Sequence, residues 1–453
     1  MDGLTRRRLL AVAGVTALGC CGGFGAGGEA EPTPLDATAV ATAVSGSLPT
    51  VTEPFPVLVA ASHFADSQRA VRSTLGELPD PVPSTGPPDE TTRATVRRSV
   101  ERARENLSAA DDAETARERL GELGDARSSA ERAASTWAFA TDELTRGAVR
   151  SRALTLERRV DAFREDRPLV GDPADPVRAL LVHSIVGSLA ERAGDDATPE
   201  WDDYEPASSD APTAADAEAE QLPDARAVGK RAGAIAEGRA RLADARQVDE
   251  RFTGSLTDPS SLEATFVDAR DGLTETLRSG VAEFPGPDAD AAELVGTDTE
   301  GAGRAVESAL RQLHADAHYF ADREATADPA SDVLARYHGL ATADAFETLR
   351  DRVSQGDELG VDSAADLRER RDEAVDAVET ALAESEERRL ARDLLAYPVA
   401  RMATTDASLR EWDQVTLQQA AVGDRARYYI EFAALARATP EAVDETLVEL
   451  GAF

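Results

Sequence analysis

The sequence predicts an all-α protein, an elongated bundle of long amphipathic helices. Two observations carry this. Apolar residues recur three or four positions apart through nearly every ordered stretch, the repeat of one helix face. No stretch alternates apolar and polar residues for long enough to read as a strand. Apolar residues make up 42% of the 453-residue chain, enough to build a core.

Arg6, Arg7 and Arg8 precede an apolar run from Leu9 to Gly19. That run is about half the length of a membrane-crossing helix. A basic start, a short apolar run and small residues at its end make a cleavable export signal, residues 1–19. The order Thr5-Arg6-Arg7-Arg8-Leu9-Leu10 resembles the twin-arginine signal. Ala17-Leu18-Gly19-Cys20 resembles a lipoprotein processing box, which implies lipid attachment at Cys20. The box departs from its commonest form by carrying Ala17 in place of Leu. Cys20 follows a small residue, whereas Cys21 follows a cysteine. The two adjacent cysteines are the only ones in the chain, and a disulfide between them would staple nothing. Residues 20–53, opening with a Gly-rich run, read as a flexible tether with a short helix near Leu35 to Val44.

Residues 54–193 form the expected N-terminal helical domain. Pro54 to Ser62 could form one short strand, but reads better as the start of a helix running to about Leu78, and the Pro-rich stretch after it is a break. Val96, Val100, Ala103 and Leu107 line one face of the next helix. Val149, Ala153, Leu156, Val160 and Phe163 follow the 4-3-4-3 spacing of a bundle helix. Asp175 to Arg192 is apolar on most sides and reads as a central buried helix. Residues 194–223 hold ten acids and no base and read as an exposed linker. Residues 224–453 form the expected C-terminal domain, packed on the first half or continuous with it. Gly229, Gly233 and Gly238 lie on its first helix, where they allow close packing. Ser260 and Glu263 have capping-box spacing. They precede a face of Leu262, Phe266, Ala269, Leu273, Leu277, Val281 and Phe284. Residues 285–303 form a loop. Val306, Leu310, Leu313, Ala317 and Phe320 make another face. Thr439 and Pro440 read as the N-cap and first residue of a last helix, with Val443, Leu447 and Leu450 inward.

The chain carries 49 basic and 85 acidic residues, a net charge of −36. Removal of residues 1–19 leaves 46 and 84, a net charge of −38. Lys230 is the only lysine. In dilute buffer such a surface repels itself, and molar salt screens it. The composition resembles that of secreted proteins of extremely halophilic archaea. It argues against nucleic-acid binding, which needs a basic stripe.

Candidate chemistry is sparse. His314 and His318 lie one helical turn apart and could share a metal ion, with His338 the nearest third ligand. A turn near Asp328 would bring His338 nearly level with His318 but not with His314, so a three-histidine site is strained and no bound metal is expected. The Gly-x-His-x-x-Glu pattern of the imelysin-like class is missing, since Gly339, Leu340 and Ala341 follow His338. Glu200, Asp202, Asp203 and Glu205 could attract calcium but lack the spacing of a known loop. Asn106-Leu107-Ser108 is a glycosylation acceptor sequence, with Asn106 expected to face solvent. His63 follows Ser62 with no acidic partner in sequence, and His183 reads as a packed core residue. No catalytic constellation and no cofactor site are expected. The sequence therefore points to a non-catalytic scaffold or interaction module, held by a lipid on the outer face of the cell membrane and meeting a protein partner that the sequence does not identify. The alternatives are an all-helical metal-binding surface protein, then a solute-binding lipoprotein of a transporter.

Overall fold

The computed structural model describes residues 34–85, 88–197, 225–295, 303–412 and 416–452. The signal segment and Cys20 lie outside them. The all-α expectation is borne out, with 14 helices in the described residues. In chain order these are α1 (Ala37–Ala43), α2 (Ala61–Gly76), α3 (Glu90–Asp112), α4 (Ala116–Ala140), α5 (Arg146–Asp166), α6 (Pro176–Ala197) and α7 (Ala225–Thr253). There follow α8 (Glu263–Val281), α9 (Ala291–Val295), α10 (Gly303–Asp322), α11 (Pro329–Ser354), α12 (Ala364–Glu384), α13 (Arg388–Arg410) and α14 (Gln419–Glu449). Four two-residue strands act as clips between distant segments: β1 (Leu35–Asp36) pairs antiparallel with β4 (Thr416–Leu417), and β2 (Val170–Gly171) with β3 (Ser260–Ser261).

The first bundle is layered around α4, which lies against α2, α3 and α7, while α6 covers α5 and α7. The second is built around α11 and α14, surrounded by α8, α10, α12 and α13. Helix α6 packs on α11 and joins the two. It begins with Pro176, whose missing N–H costs nothing at a helix start, and the Asp175 carboxylate accepts from the Arg178 amide at 3.1 Å. Val177, Leu180, Leu181, Val182 and Val186 of α6 share one continuous core with Phe266, Leu273, Tyr337 and Leu447 of the second bundle. The faces expected for α5, α8 and α10 are buried, with only Phe163, Phe284 and Phe320 left half-exposed at their ends.

Several expectations are corrected, among them the loop over residues 285–303, which contains α9. Helix α7 belongs to the first bundle, not the second, because its glycines bring backbones together. A Cβ at Gly229 or Gly233 would lie 2.7 Å from the Arg132 or Ser128 carbonyl oxygen of α4. One at Gly238 would lie 3.0 Å from that of Ala193 on α6. The acidic segment therefore connects two helices of one bundle, and its residues 194–197 complete α6. Within the expected tether, residues 34–53 are packed: Val40 and Val44 are fully buried beside α12, α13 and α14. The Ser260–Glu263 capping box does not form. Ser260 and Ser261 are drawn into β3, and the Leu262 amide donates to the Leu169 carbonyl at 2.8 Å, so the helix starts only at Glu263. Helix α2 starts at Ala61, not Pro54, since residues 51–60 run without regular structure. Finally, α14 passes unbroken through Pro440. A proline inside a helix costs about 3 kcal/mol. Burial of Ala436, Val443 and Leu447 on both sides offsets this, and the Thr439 hydroxyl donates to the Leu435 carbonyl at 2.9 Å.

Candidate functional site

The five histidines fall into four separate environments. On α10, His314 and His318 turn their Nε2 atoms toward each other at 3.1 Å. Both also face the Pro285 carbonyl oxygen, at 2.9 Å and 3.1 Å. The Phe346 ring lies 5.3 Å from His314, and the Phe284 ring 6.4 Å from His318. Burial pulls the His314 pKa below its ordinary value, and the positive field of Arg350 adds to this. His338 does not join them: its Nε2 meets Asp393 of α13 at 3.0 Å. His63 finds in space the acidic partner it lacks in sequence, Asp244 of α7, at 2.6 Å. Burial pushes the Asp244 carboxyl pKa up, against the pull of His63. His183 is wholly buried, with Nε2 2.7 Å from the Val170 carbonyl and its ring edge-on to Phe252 and Phe266. Burial lowers its pKa to about 4, so it is neutral in the folded protein.

Cys20 and the acidic residues Glu200, Asp202, Asp203 and Glu205 lie outside the described residues. Asn106 is half-buried inside α3 and does not face solvent freely. Its position falls in step with Ser99, Ala103 and Ala110, the face that packs on α4.

Three polar groupings emerge that no sequence pattern announced. The deepest joins α12, α13 and α14. Arg371, 1% exposed, donates through Nη2 and Nε to Asp406 Oδ2 at 2.9 Å and 3.1 Å. The Tyr429 hydroxyl donates to Asp406 Oδ1 at 2.6 Å. Arg371 Nη2 also donates to the Gly46 carbonyl, so the same buried ion pair holds the N-terminal segment. Such a pair is closed: each charge has its partner, and breaking it leaves an uncompensated charge in the core.

The second grouping lies between α10, α13 and α14. The Tyr428 hydroxyl accepts from Arg401 at 2.7 Å and from Arg427 at 3.0 Å, and both guanidiniums lie over its ring. Beside them, Glu431 is pushed up to about 8 by burial and then by the negative field of Asp316, whose own carboxyl burial also raises. Glu431 Oε2 is enclosed and has no hydrogen-bond partner among the described residues. At neutral pH this carboxyl holds its proton, which removes the cost of an unpaired buried charge. The third is a carboxylate ridge where α11 meets α14. There burial, then repulsion by Glu445, Glu441 and Glu347, raises Asp344 to about 7. An open groove of about 700 Å³ also runs between α12 and α14, lined mainly by charge, including Arg368, Glu369, Asp372, Asp376 and Arg437.

Among the described residues, no three His, Cys, Asp or Glu side chains are grouped to hold a metal ion, and no helix is long and apolar enough to cross a membrane. Residues 62–258 match the family described as Domain of unknown function (DUF8262), and residues 263–447 match Domain of unknown function (DUF8264). The matches divide between α7 and α8, where the packing also changes bundle. No curated protein and no solved structure matches the chain.

Proposed function

We propose that this chain is exported by the twin-arginine route, lipidated at Cys20, and held on the outer face of the cell membrane, where its helical body is a non-catalytic scaffold or interaction module. The reading begins with Arg6, Arg7, the apolar run to Gly19, and Cys20. The observation that carries it is how the segment after Cys20 joins the body. Leu35 pairs with Leu417, Val40 and Val44 are in the core, and Arg371 grips Gly46. An anchor at Cys20 is thus coupled directly to the helices. The fifteen steps from Cys20 to Leu35 reach at most about 50 Å. That keeps the β1 end of the body near the lipid surface. The buried ion pair Arg371–Asp406 bridges α12 and α13, and Tyr429 ties α14 to it, which suits a framework more than a reaction centre.

Fractionation of cells tests the anchor. Cys20→Ser releases the protein to the medium or leaves it unprocessed. A variant cleaved of residues 1–19 that still sediments with membranes as the parent does would refute lipidation at Cys20. Replacement of Arg6 and Arg7 by Lys blocks export, and normal export of that variant would exclude the twin-arginine route.

A further inference from the structure

The two histidines of α10 are arranged more specifically than their spacing demands. Two imidazoles one helical turn apart can point past each other. Here both Nε2 atoms converge, 3.1 Å apart, on the Pro285 carbonyl oxygen at 2.9 Å and 3.1 Å. Two imidazole nitrogens, good ligands for copper and nickel, and one backbone oxygen, a weaker donor, therefore occupy the corners of a nearly equilateral triangle.

The size of that triangle selects among ions. A ligand bond of ~2.1 Å to each corner would put the ion about 1.2 Å above the plane of the three atoms. The ligand–ion–ligand angles would then be about 90°, whereas a tetrahedral ion needs ligands about 3.4 Å apart. Right angles belong to octahedral or tetragonal coordination, the geometry of Ni²⁺ and Cu²⁺ with nitrogen and oxygen ligands. His318 and Pro285 are half-exposed, so water reaches this edge of the triangle. Phe284 and Phe346 form the apolar side of the shell. Arg350 opposes a cation, while the net charge of −36 attracts one to the molecule as a whole.

We propose that His314 Nε2, His318 Nε2 and the Pro285 carbonyl oxygen form three adjacent corners of a binding site for Cu²⁺ or Ni²⁺, with water at the others. This site differs from the three-histidine arrangement considered from sequence. His338 is committed to Asp393, and the third ligand belongs to the backbone after α8. The inference does not rest on the scaffold reading, and one tightly bound ion per chain would favour the metal-binding alternative over it. The competing explanation is that both imidazoles carry a proton on Nε2 and donate it to the same carbonyl.

Copper titration with electron paramagnetic resonance separates the two. The probe is Cu²⁺ alone, added in molar salt to the full chain with Cys20 and Cys21 replaced by serine to remove thiols. The site requires one Cu²⁺ per chain whose spectrum carries the splitting of two equivalent nitrogens. His318→Gln should reduce this to one nitrogen and weaken binding by at least about 10-fold, the least that loss of an outer-shell partner costs. Asp316→Asn, on the opposite face of α10, should leave both unchanged. Equimolar Cu²⁺ bound only to oxygen or to a single nitrogen in the parent chain would overturn the proposal, and that result needs no variant to fold. Zn²⁺ competing more tightly than Ni²⁺ would overturn the right-angle geometry.

Discussion

Replacing Asp344 by asparagine should stabilise the protein at alkaline pH, although it removes one charge from a strongly acidic chain. Asp344 lies on α11 opposite α14, half-buried, with Glu445, Glu441 and Glu347 as its charged neighbours. Burial first, and these three carboxylates second, lift its pKa from 3.8 to about 7. The sign follows from where the proton is held. The folded state binds it more tightly than the unfolded state. Ionised Asp344 therefore costs stability above pH 7, and the cost shrinks as pH falls from 7 toward 3.8. At about 1.4 kcal/mol per decade of proton affinity, the upper bound at pH 8 is about 4 kcal/mol, and at pH 5 it is about 1.7 kcal/mol. Glu441 and Glu347 are exposed, so salt screens their share. A net gain of ~1–3 kcal/mol at pH 8 in molar KCl is expected. Thermal melts of parent and Asp344→Asn at pH 8 and pH 5 measure it, with a rise in Tm at pH 8 that falls by more than half at pH 5. An equal gain at both pH values, or a loss at pH 8, would refute the assigned ionisation.

Other perturbations probe separate parts of the fold. His183 is buried neutral with its pKa lowered to about 4, so it withdraws stability as pH falls from 6.5 toward 4. His183→Leu should abolish about 3 kcal/mol of that acid sensitivity in urea melts at pH 7.5 and pH 4.5, while losing its bond to Val170 at both. Gly233→Val forces a side chain against the Ser128 carbonyl and should cost ~1–3 kcal/mol. Gly121→Ala, in open space on α4, should gain up to ~1 kcal/mol; equal effects in thermal melts would deny that α7 packs through its glycines. Dilution of KCl toward 0.1 M should lower helical circular dichroism, because screening then acts only beyond about 10 Å. Full helicity retained at 0.1 M would contradict the halophilic reading.

What could be read from the sequence was set by the chain's own periodicity. Leu273 and Leu277, or Val306 and Leu310, declare a buried face because one side of a helix must meet something apolar. The identity of that neighbour is not local. Gly229, Gly233 and Gly238 signalled close packing, yet nothing in them names α4 and α6 as partners. Local spelling also fails where a tertiary contact outbids it. Thr115 and Glu118 form a capping box, whereas Ser260, with Glu263 at the matching spacing, is held extended by β2. The polar groupings were the least legible. His63 and Asp244 are 181 positions apart, and Arg371 meets a carbonyl 325 positions away. Each half of such a contact looks in sequence like one more surface charge.

That last point bears on how so acidic a chain holds together. A few of its arginines, Arg336 and Arg371 among them, are buried between helices, while many other arginines and carboxylates stay on the surface. At the seam between bundles, Arg389 of α13 grips both carboxylate oxygens of Asp175, just before α6, at 3.0 Å and 2.8 Å. Arg167 reaches Asp328, just before α11, at 3.4 Å. Inside this rim, α6 and α11 share apolar residues from Leu180 to Tyr337. Surface repulsion is relieved by salt, but an enclosed pair is screened much less. Lowering salt should therefore act first on ridges such as Asp344–Glu445 and leave Arg371–Asp406 and its hold on Gly46 until the core itself opens. The segment nearest the proposed lipid anchor is consequently attached by a buried contact that salt screens little.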